Sequence, residues 1–230
     1  MKIDVILSTF NRPRLLKVAI DSILDQTSSD WELWVFDDGS SYDFRKQIIQ
    51  QYKDPRIHFF QDQGEKLKLS ERYAKSRISL LINYLLNRSS NELVSYLCDD
   101  DYYWPEAIGG AVDFFKNHPE VNVGFGKLTY SFSESEKTPR EKRELRYFEN
   151  PIMPFNKLDH NQVIHRRECL NYVKWPGRDF PWPRGPDAYF FSELSKMYTF
   201  YPINVWFSNK LLHPHNVQKM EQVGQLEVRE

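Results

Sequence analysis

The feature that most restricts the fold is a regular alternation of short apolar segments with amphipathic segments over the first 130 residues. The apolar segments have the length of strands, whereas the segments between them repeat their apolar residues with a helical period. This alternation predicts an α/β fold in which a mostly parallel sheet carries helices on both faces. The predicted strands are 2–7, 32–36, 56–60, 93–97 and 121–125, and the predicted helices are 13–26, a short one around 44–49, 70–87, one that Pro105 opens, and 187–197.

Length and composition are those of one globular domain. The chain has 230 residues, of which 40% are apolar and 27% are charged. A net charge of −1 argues against a nucleic-acid-binding protein, which normally carries a basic surplus. No apolar run approaches the roughly 20 residues of a membrane span, and the first residues are too polar for a signal peptide. We therefore expect a cytoplasmic protein without an integral membrane segment, with Cys98 and Cys169 as inert thiols.

The alternation weakens beyond residue 130. Residues 134–149 mix acidic and basic side chains without a clear period, which is typical of a solvated loop or hairpin. Residues 175–186 contain four prolines and two tryptophans, so an ordered loop is expected there rather than a regular helix. The second half is therefore the less predictable part of the fold.

Three of the first four predicted strands are followed by residues suited to bind a ligand: Ser8–Arg12, Asp37–Ser40 and Asp99–Asp101. Parallel strands place their carboxyl ends at one edge of the sheet, where ligands bind in α/β folds. Taken alone, an Asp-Gly-Ser segment is also an ordinary turn or helix cap. Three adjacent carboxylates, however, repel one another unless a cation or a donor offsets the repulsion. A hard divalent ion such as Mg²⁺ or Mn²⁺ suits them, and would also neutralise a diphosphate leaving group.

The segment VILSTFNRPRLLKVAIDSILDQTSSDWELWVFDDGSS (5–41) resembles the opening of family-2 inverting glycosyltransferases of the GT-A fold. Within that family, the likeness is to the spore-coat polysaccharide and spore-maturation glycosyltransferases. It continues through LSERYAKSR (69–77), SYLCDDDYYWPE (95–106), LDHNQVIHRRE (158–168), and PDAYFF with TFYP (186–191 and 199–202). The resemblance implies a single GT-A domain over 1–230 with a Rossmann-like, mostly parallel mixed sheet. Residues 1–104 would form its nucleotide-binding half and 105–230 its acceptor-binding half.

The resemblance also assigns nucleotide-binding residues. In the family, the positions of Ser8, Arg12 and Asp38 hold the nucleotide base, and Arg72 matches an arginine that lies near the base in the spore-coat enzymes. A carboxylate at position 38 is suited to accept the imide N–H of uracil or thymine. A charge on the solvated face of a helix is the alternative interpretation of Arg72.

The acidic run matches the family's metal-binding motif with one departure. Asp99 and Asp100 match its Asp pair, of which one is usually at the ribose and the other at the metal, and Asp101 is an alternative ligand. Leu97 stands where a further aspartate is common, so the choice of metal ligands among these aspartates stays open. Some family members add a late histidine to the metal shell, for which the candidates are His213 and His215.

Asp187 matches the family's catalytic base, which takes the proton of the acceptor hydroxyl. Its alternative role is that of a helix N-cap, and Asp159 is the second candidate, as base or as a contact to acceptor hydroxyls. Three tryptophans are candidate platforms for a sugar ring, with core packing as the alternative for the first: Trp104, Trp175 and Trp182.

These features together indicate an inverting glycosyltransferase that uses Mn²⁺ or Mg²⁺. The expected donor is a UDP- or dTDP-sugar, and the expected acceptor is a saccharide or another hydroxyl compound in cell-surface or spore-coat polysaccharide synthesis. Association with the spore or cell-surface layer and a C-terminal partner domain in a longer protein are further expectations. The alternatives are a non-catalytic nucleotide-sugar-binding or structural protein, and a sugar nucleotidyltransferase. The latter would need a Gly-rich loop with a lysine, and 8–14 contain neither.

Overall fold

The computed structural model describes residues 1–41, 48–61, 77–132, 144–146, 148–154, 157–177 and 185–212. Within these residues, nine strands form one sheet: β1 (Ile3–Thr9), β2 (Trp31–Asp37), β3 (Ile57–Gln61), β4 (Leu93–Cys98), β5 (Tyr102–Tyr103), β6 (Val123–Phe132), β7 (Glu144–Arg146), β8 (Val163–Arg166) and β9 (Phe200–Leu212). The helices are α1 (Pro13–Leu24), α2 (Arg77–Leu86), α3 (Ala107–Asn117) and α4 (Pro186–Ser195), with 3-10 helices at His160–Gln162 and Arg167–Asn171.

The strand order is β3-β2-β1-β4-β8-β6-β9-β5, and β7 pairs with β6 outside this path. The first four strands of the chain are mutually parallel, whereas β8 runs antiparallel to both of its neighbours, β4 and β6. Since β9 is parallel to β6, most of the described strands share one direction. The expected mostly parallel mixed sheet is therefore confirmed, and each antiparallel pair among the described strands includes a strand of the second half.

Helices cover both faces of the sheet, as predicted. On one face, α1 and α3 pack through residues such as Leu16, Ile23 and Phe115. On the other face, α2 and α4 pack through residues such as Leu85 and Phe190. The central strand β1 is almost completely buried, which is expected for a parallel strand with helices on both sides. Among the described residues, none of the helices has the length and hydropathy to cross a bilayer.

Helix boundaries follow local chemistry in the first half. Pro13 occupies the first turn of α1, where its missing N–H breaks no hydrogen bond, as the sequence predicted. Of the helix expected at 70–87, the described residues include α2 (Arg77–Leu86), and 70–76 lie outside them. Most of the short helix expected at 44–49 also lies outside the described residues. The helix near Pro105 begins two residues later, at Ala107.

Candidate active site at the carboxyl edge of the sheet

The carboxyl ends of β1, β2 and β4 bring the three polar segments together. The Asp38 N–H donates to the Thr9 carbonyl at 2.9 Å, and Thr9 Oγ1 donates to Asp99 Oδ2 at 2.8 Å. Ser8, at the end of β1, lies opposite Phe36 on β2 and Cys98 on β4. Parallel register therefore places these segments side by side although about 90 residues separate the first from the third.

Arg12 bridges two of the three adjacent aspartates. Its Nη1 lies 3.1 Å from Asp99 Oδ1 and 3.0 Å from Asp100 Oδ2. Burial raises the pKa of Asp99, the charge of Arg12 opposes that rise, and Asp100 adds to it. The protein thus supplies part of the positive charge that the acidic run requires. The sequence expectation placed Arg12 at the nucleotide base, whereas these contacts place its guanidinium on the carboxylates.

Asp38 lies in the turn after β2 and is 6% exposed. Its Oδ1 accepts a hydrogen bond from Arg77 Nε at 2.9 Å. The preceding Asp37 stabilises the turn by accepting from the Ser40 N–H and from Gln61 Nε2, both at 2.9 Å, and Gly39 has a φ of 83°. Arg77, at the start of α2, was not singled out from the sequence, while Arg72 lies outside the described residues.

Asp101 is the most buried of the three aspartates, and both of its carboxylate oxygens accept hydrogen bonds. Oδ1 accepts from the Leu211 N–H at 2.8 Å, and Oδ2 accepts from Asn161 Nδ2 at 2.7 Å. Burial raises its pKa, and the charge of Asp100 raises it further while Lys210 opposes the rise. Asp101 therefore joins β9 to the 3-10 helix at His160–Gln162.

The acidic run offers a donor set that fits a divalent ion. Ligand atoms of Cys98, Asp100 and Asp101 lie within 4.8 Å of one another. Two carboxylates suit Mg²⁺ or Mn²⁺, and Asp100 is the more exposed of the two. The candidate ligands His213 and His215 lie outside the described residues.

The two candidate bases differ sharply in their surroundings. Asp159 caps the 3-10 helix at His160–Gln162, and its Oδ2 accepts from Lys210 Nζ at 2.5 Å. Burial would raise the pKa of Asp159, but Lys210 and His160 lower it to about 2. The Asp159 carboxylate is therefore engaged in an ion pair with Lys210 and in the cap of the 3-10 helix, and both interactions stabilise the fold.

Asp187 is the more accessible candidate. It lies in the first turn of α4, whose N-cap is Gly185, so Asp187 is not the N-cap that the sequence allowed for. Its side chain is 40% exposed, and its Oδ2 lies 3.8 Å from His160 Nδ1. Burial raises the pKa of Asp187, but His160 and the hydrogen bond from the Ala188 N–H together outweigh that effect, and the pKa lies below its ordinary value. The carboxylate is consequently ionised at neutral pH and able to accept a proton.

The aromatic candidates that the structure describes are core residues. Trp104 is 4% exposed and donates its Nε1–H to Thr129 Oγ1 at 3.0 Å. Trp175 is 3% exposed and donates to the Tyr96 hydroxyl at 3.0 Å. Core packing, the alternative given for Trp104, is therefore confirmed, and the expectation that Trp175 forms a sugar platform is wrong, because both rings are buried in the protein interior. Trp182 lies outside the described residues.

Cys98 and His160 form a contact that the sequence did not predict. Cys98 Sγ lies 3.2 Å from His160 Nε2, and the Cys98 N–H donates to Asn161 Oδ1 at 2.8 Å. Burial raises the pKa of the Cys98 thiol well above its ordinary value, and Asp101 and Asp100 add to the rise. His160 thus links the end of β4 to the start of α4.

Comparison with known proteins assigns both the fold and the family. Crystal structures of Staphylococcus aureus TarS superpose with a TM-score of 0.68 at 18% identity, over 92% of this chain and 60% of the TarS 1–349 fragment. The mannosyltransferase PcManGT from Pyrobaculum calidifontis superposes with a TM-score of 0.60 at 15% identity, over 92% of this chain and 56% of PcManGT. The fold is accordingly the GT-A fold of glycosyltransferases. The family described as Glycosyl transferase family 2 matches residues 4–170, and the chain belongs to this family.

Curated relatives agree with this assignment. Protein CgeD of Bacillus subtilis is 29% identical over 213 residues, which cover 88% of this chain and 48% of CgeD. The GalNAc(5)-diNAcBac-PP-undecaprenol beta-1,3-glucosyltransferase of Campylobacter jejuni is 38% identical over 129 residues, which cover 55% of this chain and 37% of that enzyme. The matched part of the chain thus spans less than half of either relative.

Proposed function

We propose that this chain transfers a sugar from a UDP- or dTDP-sugar to a hydroxyl acceptor, with inversion at the anomeric carbon, in the synthesis of a cell-surface or spore-coat polysaccharide. The observation that carries the proposal is the division of the site into two parts. Asp38, Asp99 and Asp100 lie at the carboxyl ends of parallel strands, and the exposed carboxylate of Asp187 lies on a separate helix.

The donor would lie in the half formed by residues 1–104. Asp38 would accept the imide N–H of the base, and Ser8 and Asp99, at the ends of neighbouring strands, would make further contacts to the nucleoside. The neighbours support this assignment, since TarS structures include complexes with UDP and with UDP-GlcNAc. The PcManGT complex contains GDP-Man and Mn²⁺.

Asp100 would hold a divalent ion, with Asp101 as the buried second carboxylate. Such an ion supplies positive charge that stabilises the departing diphosphate. Arg12 forms ion pairs with Asp99 and Asp100 and adds a positive charge at the same edge of the sheet.

The chemical step would use Asp187 on the acceptor side, in the half formed by residues 105–230. Its carboxylate takes the proton of the acceptor hydroxyl while that oxygen bonds to the anomeric carbon. The bond from the anomeric carbon to the diphosphate oxygen breaks, and its electron pair leaves with the diphosphate. Attack from the face opposite the leaving group inverts the anomeric configuration.

The first test addresses the base pocket. UDP and dTDP should raise the melting temperature well above the value with ADP, GDP or CDP, because a ligand that binds only the folded state stabilises it. Asp38→Ala should weaken UDP binding by roughly 10- to 100-fold, the value of a hydrogen bond to a charged group. Asp113→Ala, on the exposed face of α3, is the matched control. Equal stabilisation by all five nucleotides contradicts the assignment.

The second test addresses the metal. UDP binding measured by calorimetry should strengthen on addition of Mn²⁺ and return to the metal-free value with a chelator. Asp100→Asn keeps the size of the side chain but removes its charge, so it should abolish the response to Mn²⁺ and weaken UDP binding in Mn²⁺ by about 10-fold or more. Asp113→Asn should retain the response. If the affinity for UDP changes with neither Mn²⁺ nor chelator, Asp100 holds no ion that nucleotide binding requires.

A further inference from the structure

Three side chains from separate parts of the chain contact one another in turn, with His160 between Cys98 and Asp187. Cys98 Sγ, at the end of β4, contacts Nε2 of His160 at 3.2 Å. The opposite ring nitrogen of His160, Nδ1, lies 3.8 Å from Asp187 Oδ2. Both nitrogens of one imidazole are thus directed at groups of the site, one on each side.

The orientation of His160 is fixed by the segment that carries it. Asp159 and Gln162 form a reciprocal capping box around the 3-10 helix, and Asn161 ties the helix to Asp101 and to the Cys98 N–H. The His160 side chain is only 13% exposed, whereas that of Asp187 is 40% exposed. The histidine is therefore held within the protein, and the carboxylate beside it remains open to an acceptor.

The contacts determine which ring nitrogen carries hydrogen. A carboxylate only accepts hydrogen bonds, so the contact with Asp187 Oδ2 assigns the hydrogen of a neutral imidazole to Nδ1 and leaves Nε2 as the nitrogen that faces Cys98 Sγ. When the imidazole is protonated, Nδ1 also carries a hydrogen. In either state an N–H is directed toward Asp187, and contacts of this kind often shorten when substrate binds.

We propose that His160 is a positioning residue that orients the Asp187 carboxylate toward the acceptor hydroxyl, with Cys98 fixing the imidazole from behind. This inference rests on the function proposed above and adds a residue to it. Asp159, whose charge also acts on Asp187, is paired with Lys210. His160 is thus placed to set the direction of the base.

A double-mutant cycle tests the inference. His160→Phe should lower kcat by about 10²-fold, a typical cost of misplacing a reacting group, with little change in KM for the donor or in melting temperature. His160→Gln, which retains an N–H donor, should recover most of that loss. In an Asp187→Asn background, His160→Phe should change kcat less than about two-fold, because no base remains to be positioned. A full additional loss in that background overturns the inference.

Nitrogen-15 NMR of the imidazoles gives a readout that does not require turnover. His160→Gln identifies the His160 signal among the six histidines. We expect protonated Nδ1, with a chemical shift that changes in Asp187→Asn, and an Nε2 shift that changes in Cys98→Ala but less in Cys98→Ser. A neutral ring protonated on Nε2, or a ring unaffected by Asp187→Asn, overturns the inference and leaves the proposed function standing. A wild-type protein that consumes no sugar nucleotide with any acceptor overturns the proposed function, and the role of His160 with it.

Discussion

Replacing Asp187 by asparagine should lower the rate of sugar transfer by about 10²- to 10⁴-fold, the range expected for loss of a positioned base. Asparagine has nearly the same size but cannot take a proton from the acceptor. Because Asp187 is 40% exposed and is not the N-cap of α4, the free energy of unfolding should fall by less than about 1 kcal/mol, the value of an acidic residue in the first turn. The measurement compares donor consumption by both proteins with a panel of hydroxyl acceptors.

Donor binding provides the internal control for that experiment. Asp187 is on the acceptor side, so UDP affinity in Mn²⁺ should be the same in wild type and Asp187→Asn within a factor of about two. Asp113→Asn, an exposed substitution on α3, should leave both transfer and UDP affinity unchanged. Full transfer by Asp187→Asn would contradict the assignment and make Asp159 the leading candidate base.

The first half of the fold was predictable because its signals are local. Predominantly apolar runs mark β1, β2 and β4, and a proline in the first turn marks the start of α1. The carboxyl ends of parallel strands lie at one edge of the sheet. The order of the elements therefore also predicts that three segments lie close together: Ser8–Arg12, Asp37–Ser40 and Asp99–Asp101. The edge proposed to bind the nucleotide could thus be anticipated without knowing any side-chain contact.

In the second half, α3, the start of β6 and α4 were predictable, but β9 was not, because its order depends on distant partners. The 13-residue strand β9 contains Pro202 and the polar run Ser208–Lys210, which do not indicate a strand. The three residues 208–210 are nevertheless buried. Asn209 hydrogen-bonds to Thr129 and Ser131 on β6, and Lys210 pairs with Asp159. Those partners lie 51 to 80 residues away in the chain.

The same limitation applies to the site. Sequence reasoning selected Asp159 and Asp187 but left their roles open, since only three-dimensional contacts distinguish a carboxylate paired with a lysine from one that is exposed. His160 is adjacent to Asp159 in the motif LDHNQVIHRRE, and Cys98 immediately precedes the acidic run. The link between them depends on how the 3-10 helix at His160–Gln162 packs against the end of β4, which no local pattern indicates.

Asp159→Asn should destabilise the protein by about 3–5 kcal/mol, the cost of leaving one partner of a buried ion pair without its counter-charge. The side chains of Asp159 and Lys210 are only 12% and 10% exposed, so solvent cannot replace the lost contact. The free energy of unfolding should also depend on pH in the direction expected for a carboxylate whose pKa is lowered by folding. The folded-state pKa of about 2 lies below the unfolded value of about 3.9, so this stabilisation is present above pH 4 and is lost as pH falls from about 4 to 2.

Urea denaturation of wild type and Asp159→Asn at pH 7 and at several values between pH 4 and pH 2 measures both effects. The difference in unfolding free energy should be largest at neutral pH and should shrink by roughly 2–3 kcal/mol toward pH 2, because the wild-type carboxylate then becomes protonated as well. Asp187→Asn, treated in the same way, should follow wild type within about 1 kcal/mol at pH 7. Asp159→Asn could instead unfold at the same midpoint concentration of urea as wild type and yet lose sugar transfer. That result would show that the ion pair with Lys210 does not stabilise the fold, and Asp159 rather than Asp187 would then be assigned as the catalytic base.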